Sequence, residues 1–63
     1  LLDRLTPRQR DAILLAKNHG YYEWPRKINA SQLAEYMNIT KSTLVEHLRK
    51  AENALMHQIL IGF

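Results

Sequence analysis

Apolar side chains recur along this chain at intervals of three and four, the spacing that gathers them on one face of a helix. Three stretches show it. Ala12, Ile13 and Ala16, with Gln9 in register before them, mark the inward face of a first helix; Leu33, Ala34 and Met37 mark a second; Leu44, Leu48, Ala51 and Leu55 mark a third. Start signals precede each stretch. Thr6-Pro7-Arg8-Gln9 supplies a capping hydroxyl, a proline suited to the first helical position and a glutamine able to reach back; Asn29-Ala30-Ser31-Gln32 repeats the logic, and Thr40 caps the third helix. The first helix is expected to run to Asn18, with Gly20 placed to close it, and Asn38 to make the turn into the third, since both residue types tolerate the left-handed conformation. No segment reads as a strand, a repeat or a low-complexity tract. The expected fold is all-α: three helices, the third extended past Leu55 or followed by a fourth.

The connector between the first two helices, residues 20–27, reads GYYEWPRK and holds three of the chain's five aromatic residues. At about nine residues it exceeds the common helix–helix connection of about two to eight, so it must bury something to stay ordered. Tyr22 or Trp24 is expected to plug the small core; the other reading is an aromatic surface for a partner. Base stacking along a single strand fits less well, because that mode spreads its aromatics along a basic groove.

Composition narrows the class. A chain of 63 residues is one thin-cored domain, and with no cysteine it has neither disulfides nor a thiolate metal site, which suits a reducing interior. No apolar run approaches the roughly 20 residues of a membrane span and no signal sequence is visible, so a soluble, cytoplasmic protein with no membrane role is expected. Leu1 and Leu2 look like the tail of a preceding segment, and a domain of a longer protein is expected. Lys and Arg outnumber Asp and Glu by nine to six, an excess that suits a polyanionic partner but also an ordinary basic surface.

Residues 31–50, SQLAEYMNITKSTLVEHLRK, place a short helix, a tight turn and a second helix in sequence. Ala34 is small where the two helices must cross closely, Ile39 packs after the turn and Leu44 anchors the second helix. This is a helix-turn-helix pattern, whose second helix, about residues 41–55, presents its first turns to the major groove of double-stranded DNA. The outward residues Lys41, Ser42, Thr43, Val45, Glu46, Arg49 and Lys50 mix donors, an acceptor and a methyl-bearing side chain. Ser42, Thr43 and Glu46 are the candidates for base edges, Glu46 as an acceptor from cytosine N4. Lys41, Arg49 and Lys50 are the candidates for phosphates, joined by Arg26 and Lys27 ahead of the second helix, which crosses the DNA backbone in this motif. A plain intrahelical pair between Glu46 and Lys50 competes with the reading role of Glu46.

The succession LTPRQRDAIL, GYYEWPRK and LAEYMNITKSTLVEHLRKAE resembles the helix-turn-helix domain of archaeal regulators of the bacterio-opsin activator type, over roughly residues 5–55. LuxR-type and sigma region 4 domains are more distantly similar. The resemblance implies a C-terminal DNA-binding domain that controls transcription and is attached to an N-terminal sensory or regulatory region. Asn38 departs from the glycine usual in such turns. The expected organisation is thus a single domain over 1–63, with its helix-turn-helix core at 31–50 and a C-terminal extension at 55–63.

That extension changes pattern. Met56, Ile59, Leu60, Ile61 and Phe63 place apolar groups round most of the helix, and a helix apolar all round is normally buried. Met56, Ile59, Leu60 and Phe63 are the candidates for a homodimer interface or for docking on the protein's own N-terminal region; the alternative is a helix that folds back on its own core. An enzyme is not expected. His19, His47 and His57 lack the spacing of a metal site, no glycine-rich phosphate loop occurs, and no serine has an evident base, so no cofactor or metal is implied. The rival function is a helical protein-interaction module that contacts polymerase or another regulator without touching DNA.

Overall fold

The computed structural model describes residues 2–62. A 3-10 turn at Leu2–Arg4 leads into α1 (Pro7–Asn18), α2 (Ala30–Met37) and α3 (Lys41–Ile61), with no strand among the described residues. All three expected N-caps form. Thr6 and Gln9 make a reciprocal capping box, with bonds of 3.2 Å in both directions. Asn29 and Gln32 make a second, at 3.0 and 2.8 Å. Thr40 Oγ1 accepts from the Thr43 N–H at 3.2 Å. Each cap satisfies amide donors that a helix start leaves without an intrahelical partner.

The stops of α1 and α2 share one hydrogen-bond pattern. After α1, Gly20 adopts φ 84°, its N–H donates to Lys17 O at 3.3 Å, and the Tyr21 N–H donates to Ala16 O at 2.9 Å. After α2, Asn38 sits at φ 56°, ψ 44°, with its N–H on Glu35 O and the Ile39 N–H on Ala34 O, both at 3.1 Å. Both are Schellman closures around a left-handed residue. Gly20 is constrained twice, because a Cβ there would also lie 2.8 Å from Lys27 Cβ.

The core forms where the predicted stripes meet. Ala12 and Ala16 of α1, Leu33 and Ala34 of α2, and Leu44 and Leu48 of α3 are buried together with Ile28 from the connector. Ile13, Leu15, Met37 and Ile39 pack against them half-buried. Leu5 and Ala51 are also buried. Small residues at 12, 16 and 34 let the helix backbones approach, and Leu33 and Leu44, both fully buried, fill the space between. α3 continues as one helix of 21 residues, about 31 Å long at 1.5 Å per residue. It neither folds back nor gives way to a fourth helix among the described residues.

The connector corrects one expectation. Trp24 is not a plug: it is 95% exposed, and Tyr22 is 43% exposed. Tyr21 and Ile28 enter the core instead. The reason is loop closure. The Lys27 N–H donates to Gly20 O at 3.1 Å and the Glu23 N–H to the same oxygen at 3.3 Å, so positions 20 and 27 are brought together, Tyr21 stays against the core and residues 22–26 are left exposed. The loop is braced locally: Arg26 Nε donates to Tyr21 O at 3.0 Å, and its guanidinium lies 4.2 Å over the Tyr21 ring. Tyr22 ties the loop to α3 by donating its hydroxyl to the Glu52 carboxylate. Partial burial, with this carboxylate bond second, pushes the Tyr22 hydroxyl well above its ordinary pKa.

Two stability measurements follow from this arrangement. Trp24→Ala should shift unfolding by no more than about 0.5 kcal/mol, the usual range for surface changes, whereas Leu44→Ala should cost about 2 to 5 kcal/mol; chemical denaturation of both variants checks the contrast. Tyr22→Phe should cost about 1 kcal/mol through the lost bond to Glu52, and a midpoint equal to the parent's would mean that the connector is not latched to α3.

Candidate nucleic-acid interface

Because α3 gives one side to the core through Leu44, Leu48 and Ala51, the 100° step of the helix sends the intervening residues to the opposite side. Lys41, Ser42, Val45, Glu46, Arg49, Lys50 and Asn53 line one open, shallow surface along that side. It begins at the capped N-terminus, where the first amides and the helix dipole favour an anion. Of the predicted base-reading residues, Ser42 and Glu46 stand on this surface. Thr43 does not line it. Its Oγ1 accepts from Thr40 Oγ1 at 2.8 Å and its amide donates to the same hydroxyl at 3.2 Å, so Thr43 belongs to the cap of α3.

The charges on this surface are arranged unequally. Glu46 and Lys50 form an ion pair at 3.0 Å across one turn, both side chains largely exposed. The hydrogen bond from Lys50, followed by its charge, holds the Glu46 carboxyl below the usual carboxylate range. Arg49 and Lys41 are exposed on the same surface. Val45 is half-buried there, and Asn53 extends the polar stripe by a further turn. Neither is among the DNA-contact candidates read from the sequence. The spacing from Ser42 through 45/46 and 49 to 53 is the signal that finds them, because residues three and four apart share a helix face.

Arg26 and Lys27 lie apart from α3, at the start of α2. Together with Ile28, Asn29 and Gln32 they line a shallow depression. Arg26 is held by Tyr21, as described above, and Lys27 pairs with Glu23 at 3.4 Å. Two basic zones therefore result, one before α2 and one along α3.

Beyond Asn53 the outer side of α3 is mainly apolar, with the exposed His57 among its side chains. Met56, Ile59, Leu60 and Ile61 are 52%, 64%, 71% and 57% exposed, and Phe63 lies outside the described residues. Leu14 and Leu15 of α1 line a separate hollow with Arg8, Asp11, Asn18 and Met37. Among the described residues no cluster of His, Cys, Asp and Glu is placed to hold a metal ion, and no helix is long and apolar enough to cross a membrane.

A short helix, a left-handed turn and a longer helix with a polar outer face define a helix-turn-helix domain. Comparison with known proteins agrees: residues 5–57 match the family described as HTH DNA binding domain, and the chain belongs to that family. It is 43% identical over 58 residues to the transcriptional regulator NarO of Haloferax volcanii, a match covering 92% of this chain and 28% of that protein. It is 46% identical over 54 residues to a dimethyl sulfoxide reductase transcriptional activator of the same organism, covering 86% of this chain and 25% of that protein. It is 45% identical over 56 residues to the bacterioopsin transcriptional activator of Halobacterium salinarum, covering 89% of this chain and 8% of that protein. The resemblance to domains of the bacterio-opsin activator type is thereby supported. The chain spans between 8% and 28% of the length of these relatives. No solved structure matches it.

Proposed function

We propose that this domain binds double-stranded DNA with α3 in the major groove, as the DNA-reading part of a longer regulator of transcription. The observation that carries the reading is the outer side of α3, where Lys41, Ser42, Val45, Glu46, Arg49, Lys50 and Asn53 share one surface opposite the buried Leu44, Leu48 and Ala51. A helix about 10–12 Å across fits a major groove about 12 Å wide. In this placement Lys41 and Lys50 meet phosphates beside the groove. Arg26 and Lys27 meet the backbone at the start of α2, and Ser42 and Glu46 face base edges. Thr43 acts through the cap that fixes the start of α3. The relatives' names, all of transcriptional regulators or activators, support the regulatory setting.

Duplex binding measured against salt tests this. Affinity should fall steeply as salt rises, and Lys41→Ala or Lys50→Ala should each weaken all sequences alike and reduce the log–log salt slope by about 0.9. A folded chain that ignores duplex DNA at low salt but binds polymerase or another regulator would establish the protein-interaction module instead.

The apolar end of α3 pairs with a second copy of the chain. Support comes from the abrupt change after Asn53: Met56, Ile59, Leu60 and Ile61 are all more than half exposed. An apolar helix end can match itself across a two-fold axis, and two-fold dimers are the commonest soluble oligomers. Such a dimer would offer two recognition helices to half-sites about one helical turn, roughly 34 Å, apart. Sedimentation at tens of micromolar should show a dimer that Ile59→Glu with Leu60→Glu dissociates while the helical fold remains. A strictly monomeric parent would overturn the pairing and leave docking on another region of the longer protein.

A further inference from the structure

We infer that Arg49 reads a guanine in the major groove, rather than gripping a phosphate as its charge alone suggests. This rests on the placement of α3 in that groove. The basis is how the other cations are used. Arg26 donates Nε to Tyr21 O at 3.0 Å and stacks on the Tyr21 ring; Lys27 is paired with Glu23 and Lys50 with Glu46. Lys41 is on the flank: at 100° per residue it lies about 60° round α3 from the buried Leu44, whereas Arg49 lies about 140° round, on the side away from the core. Of these five cations, Arg49 alone combines an outward position with freedom from any salt bridge or hydrogen bond among the described residues.

Chemistry then separates a base from a phosphate. Guanine presents O6 and N7 as paired acceptors in the major groove, and the planar guanidinium matches them with two parallel N–H donors. A phosphate role needs only positive charge, which Lys41 supplies on the flank and Lys50 on the outer side, one 100° step round from Arg49. The Glu46 carboxylate, taken by Lys50 at 3.0 Å, does not compete at contact distance for the Arg49 guanidinium. Ser42 and Val45, on the same surface, are too short to fill the space a long arginine spans. Arg49 is thus equipped to reach a base edge just over two turns into the helix.

Selection of bound sites from random duplex DNA by the parent chain, by Arg49→Lys and by Arg49→Ala tests the inference, with helical signal and melting confirming that each variant is folded. The parent should select a guanine at one position of its site. Arg49→Ala should lose preference at that position alone, by about 5- to 150-fold in relative affinity. Arg49→Lys, which keeps the charge but not the fork, should keep the parent's salt slope and still lose most of that preference. The inference is overturned if Arg49→Ala selects the parent's site unchanged and weakens every sequence alike with a salt slope lower by about 0.9, the mark of a phosphate contact. A parent that selects sites without a guanine dependent on residue 49 also overturns it, while leaving the groove placement standing. A folded parent that binds no duplex at all removes both.

Discussion

The turn at Asn38 governs the rest of the molecule. Two hydrogen bonds, Asn38 N–H to Glu35 O and Ile39 N–H to Ala34 O, each 3.1 Å, close α2 and fix the direction in which α3 departs. That direction decides which residues of α3 are core and which are surface. With α3 so aimed, Leu44 meets Leu33 and Ala34, Leu48 and Ala51 continue inward, and the 100° step of the helix carries Ser42, Glu46, Arg49 and Asn53 outward. A turn of another shape would rotate or splay α3, expose Leu44 and bury charge, which costs far more than the strain of a left-handed asparagine.

Burial is economical because the chain has little to bury. Among the described residues, the fully covered side chains are small or singly placed: Ala12, Ala16 and Ala51 let backbones come together, while Leu33 and Leu44 fill the remaining volume. Specificity of the fold therefore rests on local closures as much as on hydrophobic area. Two capping boxes, the Thr40 cap and two Schellman turns satisfy helix-end groups that a thin core cannot shield. The same closures leave the outer side of α3 open to solvent, because among the residues lining it only the Glu46–Lys50 pair is spent within the helix.

Division of labour along α3 follows from its length. The first three turns combine an inward apolar stripe with an outward polar one, and in the last two Met56, Ile59, Leu60 and Ile61 are exposed. A single uninterrupted helix can thus carry a polar surface at one end and a hydrophobic surface at the other, held in fixed relation by the rigidity of the backbone. Beside it, the connector holds a fully exposed Trp24 on a loop braced by Arg26, Tyr21 and the Tyr22–Glu52 bond.

Helix number, caps, turn residues and the inward stripes were legible in the sequence, because each depends on residues within about four positions of one another. Thr6, Asn29 and Thr40 act through amides three residues on, Gly20 and Asn38 through carbonyls three to five residues back, and a stripe such as Leu44, Leu48 and Ala51 needs only the helical period. The helix-turn-helix class followed from the same local signals. Tertiary structure alone decided the fate of the aromatics in the connector, since Tyr21 and Ile28 enter the core and Trp24 leaves it according to where the loop closes, between Gly20 and Lys27. The Glu46–Lys50 pair and the Thr40–Thr43 cap, four and three residues apart, are local, and spacing already admits both beside a DNA role. Tertiary structure instead joins the connector to α3, because Tyr22 donates to Glu52, thirty residues further on, a partner that depends on three-dimensional distance and that no spacing rule contains.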